Sequence, residues 1–340
     1  MAGIKRVDMH RQDFLHKGAE TALCEHYIAA GVVCSLSTNS EQVLNAARTT
    51  FLPLESPPAA VDFSMRLWVD GTDAARQAWP KPYVRGLDHM VFAGLDAHSS
   101  LLADLRTRRI LGRFSPAMAA DTSHWKSIIF PILLSIVAGS VGLVELHASC
   151  VAKDQLGLIL LGPSQSGKST LAMAFTEAGF QLLSDDRTFC SSAHGQLQAW
   201  GLPRPLKLRR EAASWFDEFR GKEPTDVQNG ERVFHFEPIQ SGAAKCCPQL
   251  LVFLERHESP RFSMIPINRD DAKSRIEKDL MAETPDAIRK QLACLDELLS
   301  LPRYLLSYGG RPQVIAGRLA TFFLNRREWH SAAGAKWVAS

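Results

Sequence analysis

Eight consecutive residues constrain this chain more than any others: Gly162-Pro163-Ser164-Gln165-Ser166-Gly167-Lys168-Ser169. They satisfy the pattern G-x-x-x-x-G-K-[ST] in full. Gly157–Leu161, just before, is a short apolar run suited to a buried strand. Thr170–Ala178, just after, reads as a helix, and Gly179 sits where a C-cap glycine belongs. The motif therefore has the strand–loop–helix context in which such a loop cradles phosphates. Gly162 and Gly167 let the backbone turn tightly and aim N–H groups at phosphate oxygens. The helix starting near Lys168 adds its positive end. Lys168 supplies a full charge to the β- and γ-phosphates, and the Ser169 hydroxyl a ligand for Mg²⁺. The candidate nucleotide-binding segment is thus Gly162 through Ser169 with Thr170 at the first turn of the helix, and the expected ligands are ATP and Mg²⁺.

A second strand is expected at Phe180-Gln181-Leu182-Leu183-Ser184, followed by Asp185-Asp186. A right-handed crossover lays this strand parallel to the first in one sheet, with both C-terminal ends side by side at one edge. The two aspartates then arrive beside the phosphates, where one carboxylate can hold Mg²⁺ and another can take a proton from an attacking hydroxyl. A turn-forming Asp pair is the competing explanation. His147 precedes the loop strand in Leu146-His147-Ala148-Ser149-Cys150-Val151-Ala152; a lone His beside an apolar run is more often structural than functional.

The 340 residues suggest two domains at roughly 100–200 residues each. We place a smaller, mostly β N-terminal lobe at 1–120 and an α/β domain at 121–340. In the lobe, a helix is expected around Thr21–Ala30. Strands are expected at Phe63–Val69, Tyr83–Arg85, His89–Ala93, Leu101–Leu105 and Arg108–Leu111, with a loop at Trp79–Pro82. No motif in the lobe names a reaction, and substrate recognition is the role left for it. In the second domain, a strand is expected at Gln249–Leu254, helices at Asp270–Leu280 and Pro285–Ser300, a strand at Arg303–Tyr308 and a closing helix at Pro312–Asn325.

Ser127–Val144 carries no charge and approaches the length of a membrane span. Pro131, Gly139, Ser140 and Gly142 interrupt it, so it reads as a buried helix, a short turn and a core strand. The formal net charge of +3 excludes a global field of the kind that draws a protein to nucleic acid or membrane. The seven cysteines have no metal-ligand spacing and do not resemble a disulfide framework. The polar N-terminus lacks a signal-peptide core. A cytoplasmic protein without nucleic-acid or membrane partners is the expectation.

With His147-Ala148, the strand Gly157–Leu161, the loop GPSQSGKS and the segment Phe180–Asp186 in this order, the sequence resembles the catalytic domain of the HPr serine kinase/phosphorylase family. The resemblance covers Ser140–Asp186 well and the rest of the C-terminal half loosely. It implies a mixed-sheet P-loop fold related to that of phosphoenolpyruvate carboxykinase. It also implies an oligomer and transfer of the γ-phosphoryl group of ATP to a serine on a protein or peptide. Asp185 would be the general base, Asp186 would support Mg²⁺ with Ser169, His147 would position the nucleotide or the base, and Lys168 would act on the phosphates.

The sequence departs from the family where Gln198 stands in place of a metal-site Glu, which bears on the reverse, phosphorylase reaction. The segment Pro203–Leu208 is similar to a divergent subgroup that includes kinases of precursor peptides, lasso peptides among them. Arg204, Lys207 and Arg209 follow the site and are candidates to reach the γ-phosphate or an acidic acceptor, or to form a basic surface loop. Two other classes stay open: a nucleotide-sensing regulatory module, and a kinase for a small-molecule hydroxyl, which a compact acceptor pocket would favour.

Overall fold

The computed structural model describes residues 21–71, 79–192, 196–228, 231–236, 244–277 and 285–325. The first element corrects the sequence expectation. Instead of a helix over Thr21–Ala30, Leu23–Ala29 (β1) and Val32–Thr38 (β2) form an antiparallel hairpin. Ala30 and Gly31 take φ of 51° and 89°, the pair of left-handed residues whose turn matches the twist of two strands. In β2 every second residue is buried, a period-2 pattern that outweighs the helical propensity of the alanines.

Helix α1 (Glu41–Thr50) follows, its first turn capped by Ser40 Oγ, which accepts from the Val43 amide. Then come β3 (Leu52–Pro53), β4 (Phe63–Val69), β5 (Tyr83–Leu87), β6 (Met90–Gly94), β7 (Ser100–Asp104) and β8 (Arg109–Phe114). The sequence expectation for β4 to β8 holds to within a few residues. The sheet order is β3-β1-β2-β4-β8-β7-β6-β5, with β4 parallel to β2 and β8.

A nearly continuous helical run covers this sheet: α2 (Pro116–Ala120), α3 (Thr122–His124), a π-helical turn (Trp125–Ile129) and α4 (Phe130–Ala138). Trp125 and Phe130 are fully buried, with ring centroids 4.6 Å from Phe114 and 4.9 Å from Phe51 respectively. The apolar side chains that prompted the membrane comparison thus join the core of the first sheet, although the run extends well past residue 120. Thr122–Val141 is the one helix among the described residues long and apolar enough to cross a membrane, and 56% of its apolar window is buried in this core. Gly142, at φ 83°, ends it, and β9 (Val144–Leu146) follows, the helix–turn–strand order read from the sequence.

The second half is built from β10 (Ala148–Lys153), β11 (Leu156–Leu161), α5 (Lys168–Glu177), β12 (Gln181–Ser184), β13 (Thr188–Ser191), β14 (Gln198–Gly201), β15 (Leu206–Arg209), α6 (Arg210–Ala213), β16 (Asp226–Gln228), β17 (Glu231–Phe236), β18 (Ala244–Arg256), β19 (Arg261–Pro266), α7 (Arg269–Ile276), α8 (Pro285–Leu298), β20 (Arg303–Gly309) and α9 (Pro312–Leu324). The helix expected over Asp270–Leu280 is present as α7; residues 278–280 lie outside the described residues. The sheet runs β12-β10-β11-β18-β14-β13-β9, with β20 paired to β18 and β19. It is mixed: β18 is parallel to β11 and β20 but antiparallel to β14. β15, β17 and β16 form a small separate sheet.

The uninterrupted apolar run of β11 has a direct cause. Leu158 and Leu160 pack with Leu171 and Phe175 of α5 and Leu319 of α9 on one face. Ile159 and Leu161 pack with Ile276 of α7 and Leu295 of α8 on the other. A strand covered on both faces has no polar side to show. The two halves meet where Phe189 and Trp200 join the core of the first sheet. A Cβ on Gly31 would lie 2.7 Å from Trp200 Nε1, so the first hairpin seats directly on β14.

Candidate active site

The loop between β11 and α5 takes backbone angles open to glycine at the two positions the motif fixes as glycine. Gly162 has φ 152° and Gly167 φ 91°. A Cβ at Gly162 would meet Ser166 Oγ at 2.6 Å, and one at Gly167 would meet the Tyr308 hydroxyl oxygen at 2.1 Å. The Tyr308 hydroxyl donates to Ser166 O at 2.7 Å, clamping the loop from β20. Lys168 is buried, and its ammonium donates to Gly162 O at 2.7 Å and Pro163 O at 3.1 Å. The curled backbone therefore has a fixed positive group inside it.

The topology of the Asp pair refines the expected crossover. β10 is antiparallel to both β11 and β12 and lies between them. The two strands are therefore parallel and end at one sheet edge, but they are not neighbours. The start of β10 sits in the gap and contributes Ser149, with His147 just before it. Ser149 Oγ and Ser169 Oγ both donate to Asp185 Oδ1, at 2.7 and 2.9 Å.

Asp185 and Asp186 have opposite surroundings. Burial pushes the Asp185 carboxyl up, and the charge of Asp186 adds to this. Hydrogen bonds from Ser149, Ser169 and the Lys207 amide pull the other way without cancelling it. Asp186, at φ 73°, has its Oδ1 3.0 Å from His147 Nδ1, and both side chains are about half exposed. The bond to His147, helped by His147, Arg204 and Arg187 charges, outweighs burial and draws the Asp186 carboxyl down to about 2. Asp185, not Asp186, is the carboxylate that touches Ser169.

Arg204 is the third charged group here. Its charge lowers the Asp186 carboxyl, and its own Nη1 is buried with no hydrogen-bond partner among the described residues. Burial, followed by the charge of Arg187, lowers the Arg204 guanidinium from its ordinary value. Arg187 is committed elsewhere, donating to Glu145 Oε1 at 2.8 Å and to the Ser135 hydroxyl. Of the other basic candidates, Lys207 reaches the site with its backbone amide, and Arg209 is exposed at the end of β15. Gln198 pairs with Ser191 at the end of β14 away from Gly201, and it is Gly201 that abuts Leu183 and Ser184. Gln198 thus lies at the far end of its strand from the Asp pair.

The residues present suit Mg²⁺ bound together with a nucleotide. Among the described residues no group of three or more His, Cys, Asp or Glu side chains converges into an all-protein cage. One hydroxyl and one carboxylate beside a glycine-turned strand–helix loop is a donor set that suits Mg²⁺ when it keeps its water and takes phosphate oxygens. A cavity of about 600 Å³ adjoins the pair, with His147, Asp186, Arg187 and Glu145 in its wall beside Ile132 and Ile136 of α4. Val84, Gly86 and Val91 of the first lobe complete it.

Sequence reasoning did not single out Ser149, Tyr308 or Arg187. Ser149 was legible, since it lies two residues from His147. Tyr308 was not, because nothing local marks a strand residue 142 positions from the loop it clamps.

No protein-family model matches the chain, and no curated protein matches it. Among solved structures, the chain is similar to an HPr(Ser) kinase/phosphatase from Coxiella burnetii, at 14% identity and a TM-score of 0.29, over 55% of this chain and 95% of the other.

Proposed function

We propose that this protein is an ATP- and Mg²⁺-dependent phosphotransferase that moves the γ-phosphoryl group to a hydroxyl, foremost a serine of a protein or peptide. The observation that carries this reading is the convergence at one sheet edge of the Gly162–Ser169 loop, the Ser169–Asp185 contact and the His147–Asp186 pair. Nucleotide binding alone calls for the first two. The third, half exposed beside a cavity, is suited to taking a proton.

In this reading, backbone N–H groups of the loop and the Lys168 ammonium hold the phosphates. Ser169 and Asp185 would hold Mg²⁺, which would supply charge neutralisation on the phosphate oxygens. Arg204, with a buried unpartnered donor, binds the transferring group as its charge shifts. The acceptor oxygen forms a bond to γ-phosphorus as the bond from γ-phosphorus to the β–γ bridging oxygen breaks, and ADP leaves. The hydroxyl proton passes to the His147–Asp186 pair. It comes to rest on the imidazole, ordinarily a far stronger base than a carboxylate near 2. The contacts thus support Asp185 as the metal-side carboxylate and Asp186 as the partner of the base, the reverse of the roles implied by the resemblance.

A small-molecule hydroxyl is the second reading, since a cavity of about 600 Å³ is the size of an ordinary small-ligand site. Labelled ATP and Mg²⁺ with serine-containing proteins and peptides test the main reading, with Lys168→Ala as control. Label on serine that vanishes in the control supports it. Nucleotide binding without label on any protein or peptide, or transfer only to small alcohols, sinks it.

A further inference from the structure

β5 is the edge of the first sheet, pairing only with β6 among the described residues. All five of its residues are exposed, Tyr83 at 60% and Leu87 at 81%. Such an edge presents a row of unpaired N–H and C=O groups, which proteins normally shorten, charge or cover. Here Arg85 is its only charged residue. Side chains alternate along a strand, and the two residues of one face, Val84 and Gly86, both line the cavity that holds His147 and Asp186. Gly86 has no side chain to close that wall. The strand edge and the proton-accepting pair therefore share one space.

We infer that an extended peptide docks as an added strand along β5, placing alternate side chains in the cavity, with the acceptor serine at the His147–Asp186 pair and an apolar residue two positions away against Val84, Val91 and Ile136. This rests on the phosphotransfer reading for the fate of the serine, but not for the docking. Main-chain hydrogen bonds supply affinity in this mode and the pockets for alternate side chains supply selectivity. About 600 Å³ is the volume of an ordinary ligand site and holds a few side chains. A second copy of β5 is a poorer occupant, since Tyr83–Leu87 offers no serine or threonine to the pair.

The test uses the full chain carrying Lys168→Ala, so that binding is read without transfer. The probes are fluorescein-labelled eight-residue alanine peptides with one serine and one leucine, the leucine one or two positions from it, followed by fluorescence anisotropy. Leucine two positions away is expected to bind at least about tenfold more tightly than leucine one position away. Val84→Glu, at a half-exposed position that tolerates charge, is expected to erase the difference, and N-methylation of the peptide backbone to abolish binding. Equal binding of the two peptides, no binding, or indifference to both Val84→Glu and N-methylation overturns the inference, as does light scattering that shows β5 closed in a dimer that Val84→Glu dissolves. The two readings fail separately. Binding with the two-residue preference but no label from ATP in the unsubstituted chain sinks the kinase alone, and label on serine without the preference sinks the docking alone.

Discussion

Ser169 and Asp185 lie sixteen residues apart in the chain and are joined by a 2.9 Å hydrogen bond at the end of the Gly162–Ser169 loop. The bond ties the first turn of α5 to the end of β12. Its acceptor is a carboxylate that burial raises above its ordinary range. The protein thus keeps a buried acid where a cation would relieve it.

A stability prediction follows from that direction. An acid whose folded value lies above its unfolded value favours folding when protonated, and this contribution is lost as pH rises through the folded value. Asp185→Asn removes the buried charge while keeping an acceptor for the two serine hydroxyls. Without ligand at neutral pH, the variant is expected to melt higher, by about 2–4 °C for about 1 kcal/mol. With Mg²⁺ and ATP, it is expected to gain less than the wild type. Differential scanning fluorimetry from pH 4 to 8 reads both, and a lower melting point for the ligand-free variant contradicts the account.

Lys168→Ala is expected to weaken ATP binding about 10–100-fold, the loss of charge-assisted hydrogen bonds worth a few kcal/mol. The fold is expected to survive, because the lysine hydrogen-bonds to the Gly162 and Pro163 carbonyls of its own loop and is not part of the apolar packing on either face of β11. Isothermal titration with ATP and Mg²⁺ measures the loss, and unchanged affinity removes the loop from nucleotide binding.

Much of this architecture was open to sequence reasoning for an identifiable reason. β4 and β11, α5, α8 and α9 carry local signals: alternation, an unbroken apolar run, a glycine pair, an amphipathic stripe. The first hairpin was misread because Ala29-Ala30-Gly31-Val32 suits a helix end as well as a hairpin turn, and only pairing with β2 decides between them. The insertion of β10 between β11 and β12 was not legible, since strand order in a sheet is set by contacts distant in sequence. The same holds within the site. The motif marked Lys168 and Ser169, and the strand after it marked both aspartates; an aspartate at a turn was legible too, but not that it is Asp186 that takes the left-handed turn, at φ 73°, while Asp185 faces Ser169.

The clamp of Tyr308 on the loop gives a two-variant test. Gly167→Ala introduces a side chain at φ 91°, strained by about 1–2 kcal/mol, and places its Cβ 2.1 Å from the Tyr308 hydroxyl oxygen. The single variant is expected to lose most ATP binding and some stability. Tyr308→Phe removes the clashing oxygen along with the bond to Ser166 O, so the double variant is expected to recover part of the stability lost to Gly167→Ala. A double variant with stability lowered by the sum of the two single losses shows that the clash does not govern the loop.

The His147–Asp186 pair makes a prediction in pH. Asp186, held near 2, stays ionised at every pH at which an assay can be run, so its own protonation contributes no limb to the profile. Any acid limb in kcat/KM belongs to the imidazole, whose protonated form cannot take the acceptor's proton. Asp186→Asn keeps a partner for His147 Nδ1 but removes the adjacent negative charge, so the imidazolium formed during transfer loses its electrostatic support. Transfer is expected to fall by about 10²–10⁴-fold, the usual worth of a positioned acid–base group, while ATP affinity stays within about threefold. His147→Ala is expected to flatten the limb altogether. Unchanged transfer in Asp186→Asn, or an acid limb that persists in His147→Ala, assigns the proton to another group. Asp185, the neighbouring carboxylate in the chain, is then the one to substitute next.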